Sequence, residues 1–444
     1  MFPVRLDNDE PMRWKLARAC ATPAATASPP LQEPAHAMTP SLIRRRLVLH
    51  VGGFDPVGPE AAHARFVREA RRFERAWTVR AEVSGAELSP DLATWTVDAS
   101  GPNWVVHSEL LLLRWDDIMA AQAREPALRR LGLGLLAFAD FVAGGALWAY
   151  ARHAWRYALF FLYPYLLLAL LAGVAALIGW AGARATGSGL AGAALGACAF
   201  ALLLAWAWRR LQLAHLLDDW SFARGYVRAE HPVLSPRLDQ VAGALLAAAA
   251  EGRADEIVIV GHSLGAVLAV DILDRALAQA PGLGQDGPAV ILVTVGSSIP
   301  KIGLHRGARR FRAALARVAE APGLFWVEYQ AVTDAMNFYK TNPVRLLLGR
   351  DTGGPAVRVV RISRMLQPAY YRRIKRNFFR VHNQFVSGND LRAAYDYFMV
   401  VCGPVPVREQ ALAPEGAGAR IAADGSLVPP SLSGEGAALP RTAR

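Results

Sequence analysis

Apolar and polar positions along this chain follow two periods, with one long interruption. Leu47-Val48-Leu49-His50-Val51 is a short apolar run closed by Gly52-Gly53, the pattern of a strand buried on both faces. Residues 59–77 set Phe66, Ala70, Phe73 and Trp77 three and four apart, which predicts a helix with a single apolar stripe. Strands are predicted at 78–84, 94–98 and 104–114. The alternation resumes after residue 235, with a helix at 236–252, a strand at 256–260 and a helix at 265–280. A strand at 289–295, a helix at 304–320, a strand at 324–330 and a weaker strand at 356–362 complete it. Strands separated by helices predict an α/β fold, a mostly parallel sheet covered on both faces.

The interruption is apolar. No charge occurs from Tyr157 to Trp180, nor from residue 189 to Trp208, where Arg209-Arg210 follows. Each stretch has about the 20 residues needed to cross a bilayer, and the terminal tryptophans suit its interface. The alternative, a pair of buried core helices, requires two adjacent uncharged runs of full spanning length by coincidence. Residues 131–151 are also apolar but carry Asp140 and four glycines. A charge at the bilayer centre costs roughly 2.5–3.5 kcal/mol, so an interfacial or re-entrant helix is expected there. Strands before 115 and after 255 should share one sheet, so the insertion 117–215 must cross an even number of times. Arg152, Arg156, Arg209, Arg210, Arg224 and Arg228 flank the hairpin, whereas its turn holds only Arg184. By the positive-inside rule the flanks, and with them the domain, face the cytosol.

Composition adds limits. Of 444 residues 53% are hydrophobic and 19% charged, which fits a folded domain joined to a membrane segment better than either alone. The net charge of +12 comes from arginine, the only lysines being Lys15, Lys301, Lys340 and Lys375. An alanine- and arginine-rich composition of this kind fits a GC-rich bacterial genome, which together with the two spans makes a bacterial inner membrane the expected location. It accords with an anionic membrane surface, while no nucleic-acid motif accompanies it. Cys20, Cys198 and Cys402 are too scattered for a disulfide framework or a zinc site, and indicate a reducing compartment. Cys198, inside an apolar run, is expected to be buried. Residues 1–40 lack the apolar core of a signal peptide and are expected to be disordered, with Met12 or Met38 as alternative starts. The Gly-, Pro- and Ala-rich stretch 403–444 is expected to be a disordered tail.

The chemistry centres on Gly261-His262-Ser263-Leu264-Gly265, which fits Gly-x-Ser-x-Gly. Such chemistry needs the serine on a sharp turn between strand and helix, with glycines where side chains would strike neighbouring backbone. The bare pattern arises readily by chance. Its position between an apolar strand and a helix bearing Ala266, Val267, Ala269, Val270 and Leu273 makes it specific.

In these residues the chain resembles the α/β-hydrolase superfamily, in its lipase and esterase branch, over roughly 46–115 and 236–400. The resemblance implies a triad ordered serine, acid, histidine, with the acid after the strand two along from the nucleophile's. Asp334, in Ala331-Val332-Thr333-Asp334, fills that place; Glu328, within the strand, is the weaker competitor. Asp334 would orient the histidine, although a Thr-Asp pair also serves as an ordinary cap or Asx turn. His382 is the sole histidine beyond Asp334 and would be the base. It lies far enough past the last strand that the connection must be long or contain a helix. His305 comes too early, and His262 would pack or orient the turn. The oxyanion hole would use the N–H of Leu264 and one from His50-Val51-Gly52-Gly53-Phe54, either Gly53 or Phe54. This loop departs from the family's His-Gly type in having Val51 where a glycine is usual.

The basic run Arg361, Arg364, Arg372, Arg373, Lys375, Arg376 and Arg380 is either a solvated face or a surface held against anionic headgroups. The expectation is a membrane-anchored serine hydrolase that cleaves an ester or thioester of a lipid or other acyl substrate. The alternatives are an acyltransferase using the same triad and an inactive scaffold of the same fold. No metal or organic cofactor is expected.

Overall fold

The computed structural model describes residues 42–429. The expected N-terminal disorder, the alternative starts, Cys20 and residues 430–444 lie outside them. The strands are β1 (Arg45–Val51), β2 (Arg80–Val83), β3 (Glu87–Leu88), β4 (Leu92–Gly101), β5 (Trp104–Leu113), β6 (Glu256–His262), β7 (Ala289–Val295), β8 (Leu324–Ala331) and β9 (Ala356–Val360). They form one mixed sheet in the order β2-β4-β5-β1-β6-β7-β8-β9, with β3 on β4. Pairs from β5 through β9 are parallel, and those among β2–β5 are antiparallel. β1 sits between β5 and β6, so the chain before and after the apolar interruption shares one hydrogen-bonded sheet. This is the α/β architecture that the alternating pattern predicts.

Both faces of the sheet are covered, as period-two alternation requires. Leu47, Leu49, Ile257 and Ile259 point into one core, beneath the helices Leu234–Ala250 and Gly265–Gln279. Val48, Val258 and Val260 point into the other, beneath Pro59–Trp77 and Tyr397–Cys402. The helix predicted at 304–320 begins only at Arg309 and runs to Glu320, and a separate short helix, Ile299–Gly303, precedes it. The turn between them is held by His305, whose Nδ1 accepts from Gly307 N–H at 2.9 Å.

The uncharged stretches are the helices Trp155–Thr186 and Gly189–Arg210, with mean hydropathy 2.3 and 2.1. Both are long and apolar enough to cross a membrane. They pack closely because Gly179 meets Gly192 and Gly196, where a Cβ at 179 would come within 2.8 Å of the Gly192 carbonyl. Leu166, Leu170, Leu177, Trp180, Leu202 and Trp206 point outward, a surface suited to lipid. Cys198, expected to be buried, is exposed on this outward face of the hairpin.

One face of the first two turns of Trp155–Thr186 packs on the domain, with Tyr157 against Phe338 and Phe161 against Trp220. The stretch 131–151 is a helix pair, Ala127–Ala143 and Ala146–His153, bent by 69°. Asp140 within it pairs with Arg228, and His305 Nε2 approaches its backbone carbonyl at 3.1 Å.

Residues 403–429, expected to be part of a disordered tail, are packed. Arg46 and Glu256, both buried, form a two-pronged ion pair at 2.7 and 3.0 Å at the foot of β1 and β6. The guanidinium also donates to the Gly403 and Val405 carbonyls, and Glu256 accepts from Val407 N–H at 2.9 Å. Those spare donors and acceptors bind the segment into the core despite its low-complexity composition.

Candidate active site

Ser263 lies between β6 and the helix Gly265–Gln279, in the left-handed region with φ 55°. A non-glycine residue adopts that conformation only when its surroundings impose it. Here Ser263 N–H donates to Val295 at 3.1 Å, and its carbonyl accepts from Ser298 at 3.0 Å. The two motif glycines are sterically required. A Cβ on Gly261 would come within 2.6 Å of Ala266 Cα, and one on Gly265 would overlap the carbonyl oxygens of Val51 and Gly52.

Asp334 and His382 meet although 48 residues apart, His382 Nδ1 standing 2.8 Å from Asp334 Oδ2. Both are buried. Asp334 is aimed by two further donors, Met336 N–H at 2.8 Å to Oδ1 and Asn337 Nδ2 at 2.9 Å to Oδ2. His382 ends the short helix Phe378–His382, which Asn377 caps by accepting from Arg380 N–H. The long connection from β9 thus does contain helices, Ile362–Met365 and Pro368–Ile374 preceding this one. The ring packs tightly, its Cε1 lying 2.9 Å from where a Cβ on Gly296 would be. With Nδ1 committed to Asp334, Nε2 is buried and has no hydrogen-bond partner among the described residues.

The loop after β1 passes directly over the serine. A Cβ on Gly53 would lie 2.8 Å from Ser263 Cβ and 3.4 Å from its Oγ. Asp55 N–H donates to the Gly53 carbonyl at 2.8 Å, making a tight turn. Among the described residues, the N–H groups of Gly53, Phe54 and Leu264 donate to no other group. His262 packs against His382 with ring centroids 4.6 Å apart and planes tilted by 35°. Burial, followed by the nearby His382, holds its pKa well below the ordinary histidine value, so it stays neutral.

Glu328 is buried on β8, where it accepts from Thr294. Burial pushes its carboxyl up to about 8. It has no hydrogen bond to His382, so the geometry separates it from the histidine that Asp334 holds.

Ser263 and His382 open onto a cavity of about 570 Å³. Phe54, Phe378 and Phe379 give it an apolar wall, and Tyr163 of the first apolar helix also lines it. Phe378 packs against Phe160 and Tyr163, so the element bearing His382 is fastened to the foot of the hairpin. Sequence reasoning missed much of this lining. Gln212 (φ 57°), His215 and Asp219 come from the chain leaving the hairpin, and Arg210 was visible only as a flanking charge. Asp219 is paired with the buried Lys301 at 2.6 Å, and that ammonium lies over the Trp220 ring.

No protein-family model, no curated protein and no solved structure matches this chain. The site therefore has to be judged by its own geometry.

Proposed function

We propose that this protein is a membrane-anchored serine hydrolase of α/β-hydrolase type that cleaves an ester or thioester of an acyl substrate. One observation carries the reading: Ser263, on a strained strand-to-helix turn, shares a cavity with a histidine whose far nitrogen is held by a buried aspartate. In this reading Ser263 Oγ attacks the acyl carbon and passes its proton to His382 Nε2. The tetrahedral oxyanion is stabilised by Leu264 N–H and by Gly53 or Phe54 N–H. The bond from carbon to the leaving oxygen or sulfur then breaks, His382 returns the proton to the leaving group, and an acyl-enzyme remains. Water, deprotonated by His382, adds to the acyl carbon; the Ser263 oxygen leaves and takes that proton, restoring the enzyme and freeing the acid. Asp334 orients His382 and stabilises its imidazolium.

The two apolar helices support an integral membrane protein, and their arginine-rich flanks support a cytosol-facing domain. The apolar wall supports an acyl chain as the group bound, with membrane lipids as its source. The test is acyl-ester and acyl-thioester turnover by the full chain in detergent. Release of acid, with an acyl adduct trapped on Ser263 and both lost in Ser263→Ala, supports the reading. Unchanged turnover in Ser263→Ala removes it.

A further inference from the structure

We infer that the cavity over Ser263 contains a subsite for a phosphate-type anion on the alcohol portion of the acyl substrate; this rests on the reading of Ser263 as a hydrolase nucleophile. Arg210, Arg376 and Arg380 all line that cavity. They reach it from separate elements. Arg210 ends the helix Gly189–Arg210, Arg376 follows the helix Pro368–Ile374, and Arg380 lies on the helix that carries His382. None of the three forms an ion pair among the described residues.

The carboxylates in the same wall are already matched, Asp55 by Arg65 at 3.2 Å and Asp219 by Lys301 at 2.6 Å. Three positive charges are thus left without protein partners on one concave surface. Low-dielectric walls focus such a field on the cavity, which raises the local concentration of anions. Guanidinium forks match phosphate oxygens in shape as well as charge. Although exposed, arginines at positions 210, 376 and 380, from three separate elements, border the cavity that also holds Ser263. Arg210 also terminates an apolar helix of spanning length, the level at which headgroup phosphates lie. The apolar wall then takes the acyl chain, the arginines take the anion, and the scissile ester between them meets Ser263. A membrane lipid ester fits this arrangement better than a soluble one, although both would offer the same anion.

The test compares kcat/KM for long-chain acyl glycerol 3-phosphate and the monoacylglycerol of the same chain, using the full chain in neutral detergent micelles. A butyryl pair serves as the soluble arm. The anionic lipid ester is expected to be preferred by at least about tenfold. That ratio should fall to about one in Arg210→Gln/Arg376→Gln/Arg380→Gln and persist in Arg372→Gln/Arg373→Gln, whose arginines do not line the cavity. Should the triple variant not fold, each single variant is expected to lower the ratio roughly two- to threefold. An equal preference within the butyryl pair keeps the subsite and makes its source a soluble ester. A wild-type ratio near one, or a ratio that survives the triple and single substitutions, overturns the subsite. A fluorophosphonate probe read in parallel separates the two levels. Failure to label Ser263 in the wild type overturns the hydrolase reading and the subsite together, whereas labelling with a ratio near one overturns the subsite alone.

Discussion

Asp334→Asn is the substitution whose effect follows most directly from the hydrogen bonds at the site. Asp334 Oδ1 accepts from Met336 N–H at 2.8 Å, while Oδ2 accepts from His382 Nδ1 and Asn337 Nδ2. An asparagine must keep its oxygen on the Met336 side, because a backbone N–H there can only donate. Its NH2 group then faces His382 Nδ1, and donor would meet donor unless Nδ1 gives up its proton. The imidazole therefore adopts the tautomer protonated at Nε2, which cannot take a proton from Ser263. The expected loss in the rate of Ser263 acylation is roughly 10⁴-fold, about 5 kcal/mol of transition-state stabilisation. The fold should survive. Asn337 Nδ2 keeps its bond to the Ala331 carbonyl, so the stability cost should stay within about 1–3 kcal/mol. The assay is the second-order rate of fluorophosphonate labelling in detergent, beside a thermal scan of the same sample. Labelling within about threefold of wild type, with the fold intact, would refute the assignment of Asp334 as the orienting acid.

Other consequences concern the scaffold. Burial raises Glu328 to about 8 from 4.5, so the native state keeps a proton that the unfolded chain releases, and stability falls as pH rises through that window. Glu328→Gln should remove this loss, its Tm advantage over wild type widening between about pH 5 and pH 8 in thermal scans. A Gly265 Cβ would overlap backbone carbonyls, whereas Gly243, in the helix Leu234–Ala250, has open space around it. Gly265→Ala is therefore expected to cost about 3 kcal/mol or more, and Gly243→Ala to stabilise by about 0.5–1 kcal/mol, both read by denaturant or thermal unfolding. Arg46→Met strands the buried Glu256 and should cost about 3–5 kcal/mol; limited proteolysis should then cut near 403–407, which wild type protects.

Features encoded within one contiguous stretch were legible in the sequence. The strand, turn and helix around Ser263 span some two dozen residues, and each of those residues states its own conformation through period, glycine or branching. The two apolar helices were legible for the same reason. What no local pattern announces is that the first turns of Trp155–Thr186 find aromatic partners in the domain, Phe338 and Trp220. Asp334 was found through the order of strands and His382 as the sole histidine beyond it, and their contact closes only once β8 lies two strands from β6. The packed segment after 403 was misread because its anchor, Arg46, is 357 residues away in sequence. Arg210 was read as a hairpin flank and Gln212 was not singled out, since only the return of the chain beside the 376–380 segment makes them cavity wall.

The central claim is that Ser263 is a nucleophile activated by His382. Treatment of the folded full-length protein with a fluorophosphonate, followed by peptide mapping, tests it most directly. A single adduct on Ser263 is predicted, absent in Ser263→Ala and formed at least about a hundredfold more slowly in His382→Gln. Folded protein that acquires no adduct at Ser263, or acquires it as fast without His382, would contradict the account.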